Sequence, residues 1–435
     1  MFVNNESALI DKAKELFERN RKSGVSEEGF EYFYVCPDTS VYPHQWFWDS
    51  CFHIMINAKM GNLDPAAAEL ETLMHTQAED GWIGHMNYWE KNPSIVDRAV
   101  GMFYPSDETS PLMQPAFIAH ALRYLYNAAK ILDNARANEL LDKFYPGIKK
   151  YYDALYERRV FWDKRPLISM VHPWESGTDN IPAYDEVLGI NGRFMAVKWG
   201  YQLLKALRVN AKCDWDMDRI RERDHFVVED VLVNSAYADG LNELADLSEI
   251  MGNTSHAKEL RNRAQAVTAT VLKEMWSEQD SVFYNTSGSE HRKNPVKIVN
   301  SFMPLVLKDI PKDIVKSLIQ NTFNNPHEFN CNYPVPSVSL SHPTFDPNSS
   351  LMLWRGPTWI CTNWYLLKGL RRQLGEKPDL KQLIEPVYES LRDKTIDLVK
   401  QAGFREYYNP LNGSGGGAKQ FGWSALVVDL IGDEP

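Results

Sequence analysis

Apolar residues recur at intervals of three and four from one end of this chain to the other, and that period sets its fold class. Leu9, Ile10, Ala13, Leu16 and Phe17 fall on one helical face. A second stripe, Phe117, Ile118, Ala121, Leu122, Leu125, Ala129 and Leu132, follows Pro115 at a suitable first helical position. The segment from Glu229 to Met251 stops at Gly252-Asn253, where Thr254 or Ser255 can cap the next helix. That helix carries Ala257, Leu260, Ala264, Val267, Val271 and Leu272 on its apolar face, so the two form an αα-hairpin. Further helices are expected over 47–60, 64–77, 135–156, 190–207, 312–322, 357–371, 379–401 and 422–431, with strands limited to short pieces such as Ser281–Tyr284. The chain reads as all-α.

No low-complexity linker divides these helices, and the one glycine run, Gly413-Ser-Gly-Gly-Gly417, is expected to be a loop within the domain. Residues 1–435 are therefore read as one domain, although the length alone would allow more. Helical hairpins joined alternately by short turns and long loops suit a closed α/α toroid. An open solenoid would show a fixed repeat of roughly 34 to 47 residues, and none is found.

The net charge of −11 offers no basic surface for phosphates, which excludes a nucleic-acid partner. The N-terminal segment has acidic residues where a signal peptide needs an apolar core, and no window reaches the length of a membrane span. A cytoplasmic protein without membrane association is expected. The five cysteines, Cys36, Cys51, Cys213, Cys331 and Cys361, are scattered with no C-x-x-C pair, which argues against a disulfide framework or a zinc site.

Aromatic residues make up 12% of the chain, and nine of the 13 tryptophans lie in polar, loop-like clusters rather than in the helix stripes. The clusters are Tyr42–Ser50, Gly81–Glu90, His172–Asn180, Trp354–Trp364, and Phe404–Pro410 with Gln420–Ser424. Each sets flat rings beside carboxylates, amides or an arginine. A sugar requires that mixture, because its C–H face packs on a ring while its hydroxyls take directed hydrogen bonds. Any single tryptophan is more simply a core residue; five such clusters point to a carbohydrate site. Loops opening on one side of a ring would gather them around one pocket, with His85, Trp174, Arg355 and Tyr407 among its candidate substrate contacts.

Glycosidic cleavage needs one protonated and one ionised carboxyl group. Of the acids in or beside the clusters, Asp49, Glu175, Asp179, Asp185 and Glu406 are the candidates. Glu406, between Arg405 and Tyr407, suits a base, and Asp179, between Thr178 and Asn180, suits an acid. Glu175 competes with Asp179, and Asp49 could take either role.

The order QWFWDS, WESGTDN-x-P-x-YD, WRGPTWICTNW, EYYNP, a glycine loop and QFGWSAL resembles glycoside hydrolase family 63, over nearly the whole span from Tyr42 to Ser424. The absence of an extra β-domain is similar to its compact mannosylglycerate and glucosylglycerate hydrolases. The resemblance implies an (α/α)6 barrel with long catalytic loops on one face, and an inverting mechanism. It implies Asp179 as general acid, Glu406 as general base and Asp49 as a holder of the water. Tyr42, Trp46, Trp48, Gln114, Trp354, Trp359 and Gln420 would line the sugar subsite. The chain departs from the family pattern at Ile181, where serine is common, and at Leu353, where tyrosine is expected. Both bear on the aglycone. A glycerate carboxylate wants a cation, and Arg98, Arg193, Arg223, Arg355 and Lys419 are formally available.

The run GSGGGA follows no strand and lacks a P-loop lysine, and the histidines are not at metal-ligand spacings, so neither metal nor organic cofactor is expected. The expected function is an inverting hydrolase of a small α-linked glucoside or mannoside, above all glucosylglycerate or mannosylglycerate. The alternatives are an α-glucosidase for neutral gluco-oligosaccharides and, from another class, a non-catalytic carbohydrate-binding protein.

Overall fold

Helices buried on every side alternate along the chain with helices buried on one face only. The computed structural model describes residues 2–90, 94–192 and 195–432. Helix α1 (Phe2–Asn20) is followed by a hairpin of β1 (Arg21–Val25) and β2 (Glu31–Val35), then α2 (Phe47–Lys59) and α3 (Leu63–His75). A short α4 (Ile95–Gly101) precedes α5 (Ile118–Leu132) and α6 (Asn134–Arg159). Next, α7 (Met195–Lys212) and α8 (Met217–Arg223) precede α9 (Val231–Ile250) and α10 (Thr254–Thr270). A 3₁₀ segment (Val299–Val306), α11 (Lys312–Ser317), α12 (Ile360–Glu376), α13 (Lys381–Ala402) and a 3₁₀ turn (Gly422–Leu426) leading into α14 (Val427–Leu430) complete the order.

Six of these segments close a ring. Helix α2 packs on α5, α5 on α9, α9 on the 299–306 segment, that segment on α12, α12 on the 422–426 turn, and that turn back on α2. In α2 every residue but Lys59 is buried, and α9 is buried almost throughout. In α10, by contrast, only Ala257, Leu260, Ala264, Val267 and Thr268 are buried, the pattern of an outer helix with one apolar stripe. In chain order, α1, α3, α6, α10, α11 and α13 each neighbour an inner segment, which is the (α/α)6 toroid.

The boundaries differ from the sequence reading where side chains cap them. Asn253, not Thr254 or Ser255, caps α10, its Oδ1 accepting from the His256 N–H at 3.2 Å. Helix α5 begins at Ile118, because Pro115 and Phe117 instead form a turn closed by the Phe117 N–H on the Pro115 carbonyl at 2.9 Å. The helix expected over 190–207 is observed over Met195–Lys212. Among the described residues six small antiparallel sheets decorate the ring, including Trp276–Ser277 with Val282–Phe283. No helix of the described residues is long and apolar enough to cross a membrane.

Inner-to-outer packing is tightest at Gly240 of α9. A Cβ there would overlap the Tyr152 hydroxyl of α6, which donates to the Ala116 carbonyl at 2.5 Å. Gly240→Ala is expected to lower stability by about 1–3 kcal/mol despite alanine's better helix propensity, since overlap and a displaced buried hydrogen bond outweigh that gain. Gly200 of α7 faces open space, so Gly200→Ala is expected to stabilise by up to about 1 kcal/mol. Denaturant titration of the two variants checks the opposite signs.

Candidate active site

The N-terminal ends of four inner segments open on one cavity of about 430 Å³. Asp49 lies in the first turn of α2, Trp359 is the N-cap of α12, Phe421 precedes the 422–426 turn, and Gln114 lies just before α5. Tyr42, Trp46, Trp48, Trp174, Trp354 and Trp359 wall the cavity with Phe421 and Trp423, and His85 and Gln114 add polar groups. Trp354 and Trp359 stack with centroids 3.9 Å apart at 5°, while Trp423 meets Trp48 and Trp359 edge-on. The indole Nε1 atoms of Trp46 and Trp359 have no partner within the protein, and neither does Asp49 Oδ1. Buried donors without partners are uncommon, and on the wall of a cavity they suit the hydroxyls of a ligand. Gln114 Oε1 accepts from the Trp48 N–H at 3.0 Å, which leaves its amide nitrogen for such a ligand.

Asp49, Asp179 and Glu406 share this space. Glu406 follows α13 and directly precedes a short strand, Tyr407–Tyr408, paired with Gly415–Gly416, so the glycine run forms a hairpin beside the carboxylate. The Ala418 N–H donates to Oε2 at 2.9 Å and the Tyr42 hydroxyl to Oε1 at 2.9 Å. Gly417 has φ +63°, and a Cβ there would meet Glu406 Oε2. Burial pushes the Glu406 carboxyl up, and these two donors work against that rise by favouring the anion.

Asp179 has no such set of side-chain donors. It faces the cavity, yet protein surrounds it closely enough that lost hydration, reinforced by the charge of Glu406, pushes its carboxyl up to about 7, against partial relief from a backbone N–H. The turn before it depends on Gly177, at φ +70°, whose missing side chain makes room for the Trp48 ring. Burial also raises Asp49 well above the ordinary carboxyl range, opposed by its own backbone hydrogen bond and reinforced by the charges of Glu406 and Glu69. Each of the three carboxyls is thus pushed toward its neutral form, and the charge of Glu406 adds to the rise at both Asp49 and Asp179.

The other acids in the clusters are committed elsewhere. Glu175 is fully buried: Arg159 donates to both oxygens at 3.0 and 2.6 Å, the Val171 N–H to Oε2 at 2.6 Å and the Met113 N–H to Oε1 at 3.1 Å. No face of that carboxylate is left for a ligand. Asp185 is held by Arg355, which is buried in this ion pair and does not line the cavity. Tyr407 packs behind Trp359 with centroids 5.1 Å apart, and Gln420 lies by a separate groove beside α1. These three candidate substrate contacts, Arg355, Tyr407 and Gln420, therefore stand outside the cavity wall.

Of the cations considered for a carboxylate, Arg98, Arg223, Arg355 and Lys419 do not line the cavity, and Arg193 is outside the described residues. At the mouth are His44 and Asp97, 3.2 Å apart, an acid the sequence reading did not single out. Asp97 is the third residue of α4 and completes a capping box with Ser94, a sequence pattern that marks a helix start and not a site. His85 is neutral, its pKa lowered to about 3 by burial and the nearby His172, and its Nδ1 meets the Ser110 hydroxyl. His172 is enclosed, with Nε2 on the Leu203 carbonyl at 3.2 Å and Nδ1 accepting from the Trp174 N–H at 3.2 Å. Among the described residues one cluster has metal-ligand composition, His120, Asp239 and Glu243, away from the cavity. Arg372 donates to Asp239 Oδ1 at 2.5 Å and His120 meets Oδ2 at 2.9 Å, so it is an ion-pair network.

A family profile described as the mannosylglycerate hydrolase MGH1-like glycoside hydrolase domain matches residues 42–424. The mannosylglycerate hydrolase of Thermus thermophilus is 28% identical over 96% of this chain and 99% of its own length. The glucosylglycerate hydrolase of Mycolicibacterium hassiacum is 24% identical over 90% of this chain and 92% of its own. A crystal structure of a family 63 mannosylglycerate hydrolase, also from Thermus thermophilus and in complex with Tris and D-glycerate, superposes with a TM-score of 0.82 at 26% identity, covering 98% of this chain and 100% of the other.

A buried acid whose folded pKa is raised binds its proton more tightly in the native state, so stability is lost as pH rises from the unfolded value of about 4 through the folded value. Asp179→Asn removes that loss at its site. The variant is expected to melt above the wild type at pH 8 and close to it at pH 4. A pH-independent difference in Tm would refute the raised carboxyl.

Proposed function

The chain belongs to the mannosylglycerate hydrolase MGH1-like glycoside hydrolases of family 63, and we propose that it hydrolyses a small α-linked glucoside or mannoside of glycerate with inversion. It is an O-glycosyl hydrolase by family. The observation that carries the mechanistic reading is the pair of unlike carboxyls, Asp179 and Glu406, on one indole-walled cavity. The single catalytic domain is taken to span 1–435, and the unpaired thiols of all five cysteines are in keeping with a cytoplasmic location.

The sugar ring lies on the tryptophan wall, with its hydroxyls on Gln114, His85 and the indole N–H groups of Trp46 and Trp359. Protonated Asp179 gives its proton to the glycosidic oxygen as the bond to the anomeric carbon breaks. Glu406, ionised and fixed by Tyr42 and Ala418, takes a proton from a water on the opposite face, and that water's oxygen bonds to the anomeric carbon. Asp49 helps hold the water. The products are the free sugar of inverted configuration and the released alcohol, and the two carboxyls have exchanged protonation states. An inverting pair stands roughly 6.5–9.5 Å apart to leave room for that water.

A neutral gluco-oligosaccharide is the second reading. It is favoured by the cavity wall, where the described residues include Asp49, Asp97, Asp179 and Glu406 but no lysine or arginine. Leu353, which lines the cavity where a tyrosine is the family expectation, points the same way.

Rates on glucosylglycerate, mannosylglycerate and neutral α-glucosyl disaccharides separate the two readings, and anomer-resolved NMR of the first-formed sugar is expected to show the β-anomer. Retention would overturn the mechanism. Asp179→Asn and Glu406→Gln are each expected to lower kcat by about 10²–10⁴-fold with little change in melting at pH 5. The expected pH profile is a bell whose alkaline limb falls near pH 7, as Asp179 loses the proton it must donate.

A further inference from the structure

The residues Trp354–Trp359 touch both sides of the proposed reaction. At one end, the Trp354 N–H donates to Asn180 Oδ1 at 2.9 Å, the residue directly after Asp179. Arg355 then grips Asp185 with both ends of its guanidinium, Nη1 on Oδ2 at 2.7 Å and Nη2 on Oδ1 at 2.5 Å. Asp185 also accepts from Trp199 Nε1 at 3.0 Å, and the guanidinium lies over the Trp199 ring. At the other end, Thr358 exchanges backbone hydrogen bonds with Tyr408 at 2.8 and 2.9 Å, two residues beyond Glu406. Between these ends the segment has no slack. The Gly356 N–H donates to Ser337 Oγ at 2.8 Å, and a Cβ at Gly356 would strike the Asp346 backbone.

We propose that Arg355 and Asp185 are a positioning pair, which through this strut fixes the general acid Asp179 relative to the base Glu406 without touching substrate. A bidentate guanidinium–carboxylate pair sets orientation as well as distance, and Arg355 is 2% exposed, so solvent does not screen it. Asn180 and Asp185 are five residues apart on one loop, and two consecutive residues of the strut hold both. Rotation of that loop about either contact is thereby blocked. Loosening the pair misplaces the acid while the sugar wall and the base hairpin stay in place, and a small misplacement of a reacting group is costly. The proposal rests on Asp179 being the acid.

The test compares two substrates that differ in their need for an acid. A glycoside with an alcohol leaving group requires the proton from Asp179; the matching α-glycosyl fluoride leaves as fluoride ion and does not. Asp185→Asn removes the charge and Arg355→Lys keeps it but loses the fork. Each is expected to lower kcat for the glycoside by about 10–100-fold, with KM and kcat for the fluoride within about threefold of the wild type. The double variant is expected to be no worse than the poorer single one, because the two residues act as a unit. Equal losses on both substrates, or no loss on either, would overturn the proposal. Asp179→Asn runs beside them: if it spares the fluoride and the paired variants do not, the positioning proposal alone fails. If it retains glycoside hydrolysis, the acid assignment itself falls.

Discussion

The cost of keeping three carboxyl groups in one poorly hydrated space shapes everything around them. Asp49, Asp179 and Glu406 each lose water on folding, and each would repel the others if all were charged. The fold answers with unequal treatment. Glu406 receives a tyrosine hydroxyl and a backbone N–H, whereas at Asp49, in the first turn of an inner helix, and at Asp179 a backbone hydrogen bond only partly offsets burial. Division of protons among three similar groups follows from their surroundings alone.

The ring makes that treatment possible. Inner helices have no solvent face, so α2 and α9 are buried almost throughout, and α2 presents its N-terminal end to the cavity. Away from the cavity a buried charge pair such as Arg159 and Glu175 is closed around the carboxylate, which accepts four hydrogen bonds. A buried pair of this kind adds little net stability and gives much geometric definition. It ties Met113, next to Gln114, to the turn that leads to Asp179, so two parts of the cavity wall share one anchor.

Much of this was legible in the sequence because helix period and aromatic clustering are local signals. The stripe over Phe117–Ala129, though not its last member Leu132, which is exposed, and the hairpin of α9 and α10 follow from spacing, the aromatic clusters from composition, and the lining of one cavity by Tyr42, Trp46, Trp48, Trp354 and Trp359 from the family resemblance. What was illegible depends on partners far apart in the chain. Glu175 and Asp179 are four residues apart in the same motif, and only Arg159 tells them apart. Arg355 looks like a substrate contact in WRGP, and only Asp185, 170 residues away, shows it turned from the cavity. Ring closure from α2 to the 422–426 turn is likewise a long-range fact. The glycine run read as a loop because its pairing with Tyr407–Tyr408 leaves no period to detect.

That hairpin has a consequence for how such a site can diversify. Glu406 is held largely by main chain within a dozen residues of itself, whereas the loop that carries Asp179 is fixed through Asn180 and Asp185 by Trp354 and Arg355, far away in the chain. Substitution can therefore rework the acid's surroundings, and with them the space for the departing alcohol, while the water-activating half stays unchanged. One half of the centre behaves as inherited hardware and the other as an adjustable fitting, so new leaving groups can be accommodated without reinventing the attack.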